Sequence, residues 1–156
     1  KMIHSMRRSA QQLPETEIER ILQEGSHGVL AVCDGDEPYA VPLSYVYEKG
    51  HIYFHSAVTG HKLGAIASNN RVSFCVVGRD EVQPERFSTR YESVIAFGRA
   101  AIVTDSTLKR HALEMLVQKY SPGYQHNGKR EIEQEWDHVQ IVEIAVQHCT
   151  GKRSAQ

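Results

Sequence analysis

Cysteine is scarce in this chain of 156 residues, and the three present, Cys33, Cys75 and Cys149, lie far apart. Without a CxxC pair there is no basis for a zinc ribbon, a dithiol redox motif or a disulfide framework. Cys33 and Cys75 fall inside the apolar runs Val29–Cys33 and Val72–Val77, where a free thiol is expected as a small buried hydrophobe. A reducing, cytoplasmic setting fits that usage. No apolar run approaches the roughly 18 residues of a bilayer-spanning helix, so no membrane role is expected. Lys1–Ala10 carries Arg7 and Arg8 with no apolar stretch behind them, which predicts no secretory signal there. Neither charge is in excess. Eighteen Lys and Arg against nineteen Asp and Glu leave a net charge of −1, whereas a chain that lives on phosphate-backbone contacts is usually basic; no nucleic-acid partner is expected. GxxxxGK[ST], GxGxxG and GxSxG are all missing, which removes the sequence support for a phosphate loop, a dinucleotide fingerprint and a nucleophile elbow.

What the chain does have is hydrophobic alternation. Residues 1–13 read as a polar arm, 14–150 as one domain and 151–156 as a loose tail. Pro14 opens a short helix with Ile18, Ile21 and Leu22 on one stripe and Gly25 as its stop. The period then changes to two. Val29–Cys33, Tyr39–Tyr47, His51–Ser56, Arg71–Val77, Tyr91–Thr104 and His138–Val146 read as six strands, with 78–90 as a polar loop. In the second strand Tyr39, Val41, Leu43, Tyr45 and Tyr47 face one way, and Ala40, Pro42, Ser44 and Val46 the other. Helices are expected over His61–Ser68 and after Asp105, where Leu113, Leu116, Val117 and Tyr120 share a stripe. The charged stretch Gly128–Asp137 has only a weak helical pattern. Hairpin-linked strands of this kind predict a mainly β fold with peripheral helices: a closed, six-stranded antiparallel barrel, since closure removes exposed edges.

The segment Ile52–Ile66 carries the chemistry. A strand ends in His55 and Ser56, Gly60 makes a turn, and His61 and Lys62 enter the first turn of a helix. Free amides, the positive helix end and a lysine charge suit a phosphate monoester; a plain strand-to-helix junction with a solvated lysine is the competing reading. Nine histidines raise the question of a metal, but no carboxylate or cysteine stands at ligand spacing beside His51, His55 or His61, and no metal site is expected.

Gly28-Val-Leu-Ala31, Pro38–Tyr47, Ile52–Ala57 and Gly60-His-Lys62, in that order, resemble the flavin-binding split-barrel family related to pyridoxamine 5′-phosphate oxidase. Within it the chain is most similar to the 5-nitroimidazole-resistance-like branch, with Met6-Arg-Arg8 and Thr150-Gly-Lys152 adding to the likeness. The resemblance implies a six-stranded split barrel and a homodimer with FMN at the subunit interface. It lays Val41, Pro42, Leu43 and Ser44 along the isoalloxazine ring and ribityl chain, His55 and Ser56 at the ribityl–phosphate region, and His61 and Lys62 on the phosphate. Ser93 matches a position offered to the flavin by the partner subunit or by the adjoining strand.

The tail Glu143–Arg153 lacks the arginine-rich segment of the oxidase proper, which counts against oxidation of pyridoxamine phosphate itself. The expected activity is transfer of electrons from FMN to a small aromatic or nitro compound, with NAD(P)H as donor and His55 as the residue that could supply a proton. FAD or a deazaflavin could replace FMN. A non-catalytic flavin module and a haem-binding split-barrel relative are the alternatives.

Overall fold

The computed structural model describes residues 4–155. Its elements follow the change of period. Helix α1 (Glu15–Glu24) starts behind Pro14, whose missing N–H costs nothing at a helix start, and buries Ile21 and Leu22. Four short strands come next: β1 (Gly28–Asp34), β2 (Glu37–Leu43), β3 (Val46–Glu48) and β4 (His51–Ala57). After α2 (His61–Ser68), two long strands, β5 (Arg71–Gln83) and β6 (Ser88–Ile102), form a hairpin. Helices α3 (Ser106–Tyr120) and α4 (Gln125–Glu135) lead into β7 (Val139–Arg153). All pairings are antiparallel, in the order β2-β1-β5-β6-β7-β4-β3.

The sheet therefore has seven strands rather than six, and among the described residues its end strands β2 and β3 do not pair to close it. The cause is local. The expected strand Tyr39–Tyr47 is cut after Leu43, because α3 takes the backbone of Tyr45: the Tyr45 N–H donates to the Tyr120 hydroxyl (2.9 Å), and Lys119 Nζ donates to the Tyr45 carbonyl (2.8 Å). Other expectations shift as well. Residues 78–90 are mostly ladder, not loop, and 125–135 is a full helix. The tail is paired as far as Arg153, while Leu13 N–H bonds to Gly151 O and so ties the arm to it. Cys33 is exposed, since alternation with the buried Val32 turns it to the uncovered side of β1.

Alternation sorts the two faces. Leu30, Phe54, Phe74, Val76, Val94 and Ile144 fill the inner core, and Tyr39, Val41 and Leu43 pack against it. On the outer face, α3 and α4 cover only one end, where Tyr53 and Ile141 meet Leu113, Leu116 and Ile132. The remainder of that face is uncovered and carries an apolar strip: Val29, Cys75 and Ile95 line up across β1, β5 and β6, and Phe97 stands beside them. A bulge at Gln147, between the pairs Phe97–His148 and Gly98–Val146, resets the parity of β7. Gly98 is required there, because a Cβ would fall 2.2 Å from the Ala145 carbonyl oxygen.

Beyond the bulge, Arg153 faces inward and completes an ion cluster. The buried Glu92 carboxylate accepts from Arg20 at 3.1 Å and Arg153 at 3.0 Å, and both arginines also bond Glu17. Burial alone pushes the Glu92 carboxyl up, but the two guanidinium bonds outweigh it and hold the group below its ordinary value of 4.5. A carboxyl lowered on folding stabilises the protein above its unfolded pKa, and that stability is lost as pH falls through the lower folded value. Glu92→Gln is expected to lower stability at neutral pH by about 1–3 kcal/mol and to flatten the acid limb of the stability–pH curve, measured by urea unfolding from pH 3 to 7.

Candidate functional site

Three elements converge on the region that the sequence singles out. The first is the start of α2. Gly60 caps the helix without a side chain, so no side-chain cap bonds the amides of its first turn. The amides of that turn and the positive helix end are open to an anion, and Lys62, half-buried, stands among them. His61 turns aside. Its Nε2–H donates to Asp34 Oδ2 at 2.7 Å, and its ring stacks on Tyr39 with centroids 4.4 Å apart, which ties the helix start to the β1–β2 hairpin.

The second is β2, an end strand. Val41 and Leu43 pack inward on the core, while Pro42 and Ser44 are exposed. One side of its backbone pairs with β1, and the other side meets no strand. Pro42 has no N–H to leave unpaired, which suits it to this edge. The segment ends in the clasp on Tyr45. The Tyr120 hydroxyl accepts from Tyr45 N–H and donates to Ser26 O at 2.7 Å; the Tyr45 hydroxyl donates to Leu22 O. Lys119 Nζ also lies 4.0 Å over the Tyr45 ring. Burial lowers Lys119 to about 8.

The third is a groove of about 820 Å³ between the end of β4 and the α3–α4 pair. Leu113, Leu116, Val117 and Ile132 wall it, while Ser44, His55 and Ser56 form its sheet side. Ser56 is buried, and its hydroxyl donates to Ala57 O. Its register partner on β7 is Gln140, whose Oε1 is buried with no hydrogen-bond partner. A buried acceptor left unpaired is uncommon in a native protein, so this one marks an unmet demand for a donor.

The structure thus gathers Ser44, His55 and Ser56 at one groove, and His61 and Lys62 at the helix start. It sets Ser93 apart, on the uncovered face of β6 opposite Val77 and Lys152, roughly 30 Å along the strand from the level of the groove. Sequence reasoning missed Lys119, Gln140 and the role of α4. Lys119-Tyr120 directly before the helix-ending Ser121-Pro-Gly123 was the available signal for the clasp; Gln140 gave none.

A mainly antiparallel sheet around one core, with helices at its rim and an anion-ready helix start beside an end strand, defines a protein of the split-barrel type. The family model described as pyridoxamine 5′-phosphate oxidase matches residues 14–153, and the chain belongs to that family. Among solved structures, it resembles a candidate 5-nitroimidazole antibiotic resistance protein from Bacteroides thetaiotaomicron: 23% identity, 91% of this chain and 86% of that one, TM-score 0.75. An FAD-binding protein from Mesorhizobium loti is 25% identical over 93% and 98% of the two chains, with TM-score 0.69. An FAD- and haem-binding protein from Mycobacterium smegmatis is 18% identical over 94% and 74%, with TM-score 0.78. No curated protein matches the sequence. Among the described residues, no helix is long and apolar enough to cross a membrane.

Tyr120→Phe removes the acceptor of a half-buried amide and a donor to Ser26. It is expected to cost about 1–3 kcal/mol of unfolding free energy, read as a lowered urea midpoint with an unchanged m-value.

Proposed function

We propose that this protein is an FMN-dependent oxidoreductase acting on a small aromatic or nitro compound. The observation that carries the reading is the uncapped start of α2 with Lys62 among its free amides, which provides a binding place for a terminal phosphate. Membership of the family and the flavin-binding relatives support it. The fit extends past the phosphate. The buried Ser56 hydroxyl, at the groove's sheet side, suits a polyhydroxyl chain that can donate to it. The open side of the β2 backbone at Val41–Ser44 offers amide and carbonyl groups to the edge of a heterocycle, with the Val41 and Leu43 side chains engaged in the core.

The flavin itself would supply hydride acceptance and delivery, with NAD(P)H as the source of reductant. The chain's own residues do less. The groove's apolar wall excludes water from a flat substrate, and His55 at its sheet side holds a proton for a substrate atom. Ser93 lies too far along β6 to join this site within one subunit. It reaches a flavin only if a second copy presents it, and the uncovered apolar face around Ile95 and Phe97 supports such a homodimer.

Purified protein is expected to be yellow and to release FMN on denaturation, as judged by absorbance and mass spectrometry. Lys62→Glu should weaken FMN binding at least about tenfold in fluorescence titration; a colourless protein with an unchanged titration would remove the proposal. His55→Ala should keep the flavin but lose most nitro-compound turnover with NADH or NADPH; unchanged turnover would leave His55 with no proton to give. Haem is the second reading, favoured by the haem-binding relative and by His55 and His138 lining one groove. A Soret band would replace the flavin reading.

A further inference from the structure

The β5–β6 hairpin outruns its sheet. β1 pairs with β5 no further than Cys75, and β7 with β6 only from Glu92 onward, so Glu81–Gln83 and Ser88–Arg90 pair with each other alone. At the tip, Pro84–Arg86 make one 3-10 turn and Phe87 follows in the left-handed region, φ 48° and ψ 42°. Its side chain is 99% exposed, and that of Val82 behind it is 69% exposed. Left-handed backbone disfavours any residue with a Cβ, and a bare phenyl ring in water is disfavoured again. Both costs fall on one residue, and among the described residues nothing covers it.

Its own groove is out of reach. Val142 on β7 pairs with both Ile102 and Phe54, so the groove beside His55 lies level with the far end of β6, roughly 50 Å of strand away from Phe87. Between fingertip and groove runs the uncovered outer face, with Ile95 and Phe97 (38% and 43% exposed) at the middle of β6. Val77 and Val82 continue this apolar surface onto the hairpin. A two-fold axis through the Ile95–Phe97 region, perpendicular to β6, exchanges the two ends of that strand. One operation then brings each fingertip to the other copy's groove.

We propose that Phe87 of one copy seats in the groove of a second copy, against Leu113, Leu116 and Val117 and beside His55, so that each site is finished by its neighbour. This rests on the homodimer reading above.

The test places a photo-crosslinker at the tip, Phe87→p-benzoylphenylalanine, and irradiates the purified protein. Crosslinks between copies, mapping to peptides within 106–135, are expected. Crosslinks confined to one chain, crosslinks elsewhere on the second copy, or none at all would overturn the contact. Phe87→Gly provides a second measure, because it relieves the left-handed constraint. The dimer dissociation constant should rise about tenfold or more by sedimentation, with Phe87→Leu closer to wild type. A raised Tm with an unchanged dissociation constant is the opposite outcome and also overturns it. Wild type sedimenting as a monomer would sink both this contact and the dimer; a crosslinked dimer that binds no FMN sustains the contact and removes only the cofactor.

Discussion

Tyr45 gives its backbone to α3 instead of to a neighbouring strand, and the layout of the site depends on that exchange. An amide bonded to the Tyr120 hydroxyl and a carbonyl bonded to Lys119 cannot also serve a ladder. The strand therefore ends at Leu43, restarts at Val46 and sends its two parts to opposite ends of the sheet. One part becomes an edge with open backbone; the other forms the short shelf on which α3 rests. Had Tyr39–Tyr47 remained one strand, Ser44 would lie in a regular ladder and could not border the groove.

The clasp also brings two cores into contact. Tyr45 is buried in the inner cluster, and its hydroxyl bonds to α1 at Leu22 O, while the helix that holds its backbone belongs to the outer cluster. Motion of α3 is thereby coupled to the end of β2 through two hydrogen bonds and a lysine stacked on a ring. Lys119 carries a second consequence. Burial lowers it to about 8 against an ordinary 10.5, so its charge costs the folded state stability below that range, and the cost is lifted as pH rises from about 8 toward 10.5.

Much of this was legible in the residues, for identifiable reasons. The alternation from Tyr39 to Leu43 assigned the inward and outward sides correctly, because a half-buried strand writes its burial with period two. Pro42 suits the end strand it occupies, because proline cannot feed a ladder on both sides. His55, Ser56, His61 and Lys62 stand out together because they are close in sequence, and the structure divides them between the groove and the start of α2. Non-local partners left no trace: Tyr45 meets Tyr120 across 75 residues, and nothing in Gln140 announces an unpaired oxygen. The hairpin from Gly78 to Arg90 reads as a loop because Val82 and Phe87 are too few to write a period of two on it. A two-stranded ribbon without a covering layer has little apolar face to display.

One unpaired residue, Gln147, decides which way the last strand faces. With it in place, Cys149, Gly151 and Arg153 point into the barrel, and His148, Thr150 and Lys152 point out. Drawing it into a regular ladder, so that Gln147 opposed Phe97, would turn all six to the other face. A guanidinium would leave the interior carboxylate that needs it, and an imidazole and an ammonium would enter a hydrocarbon environment. Without Gln147, five residues on β7 would face the five of β6 between Gly98 and Glu92, and the same inward set would be reached by a straight strand.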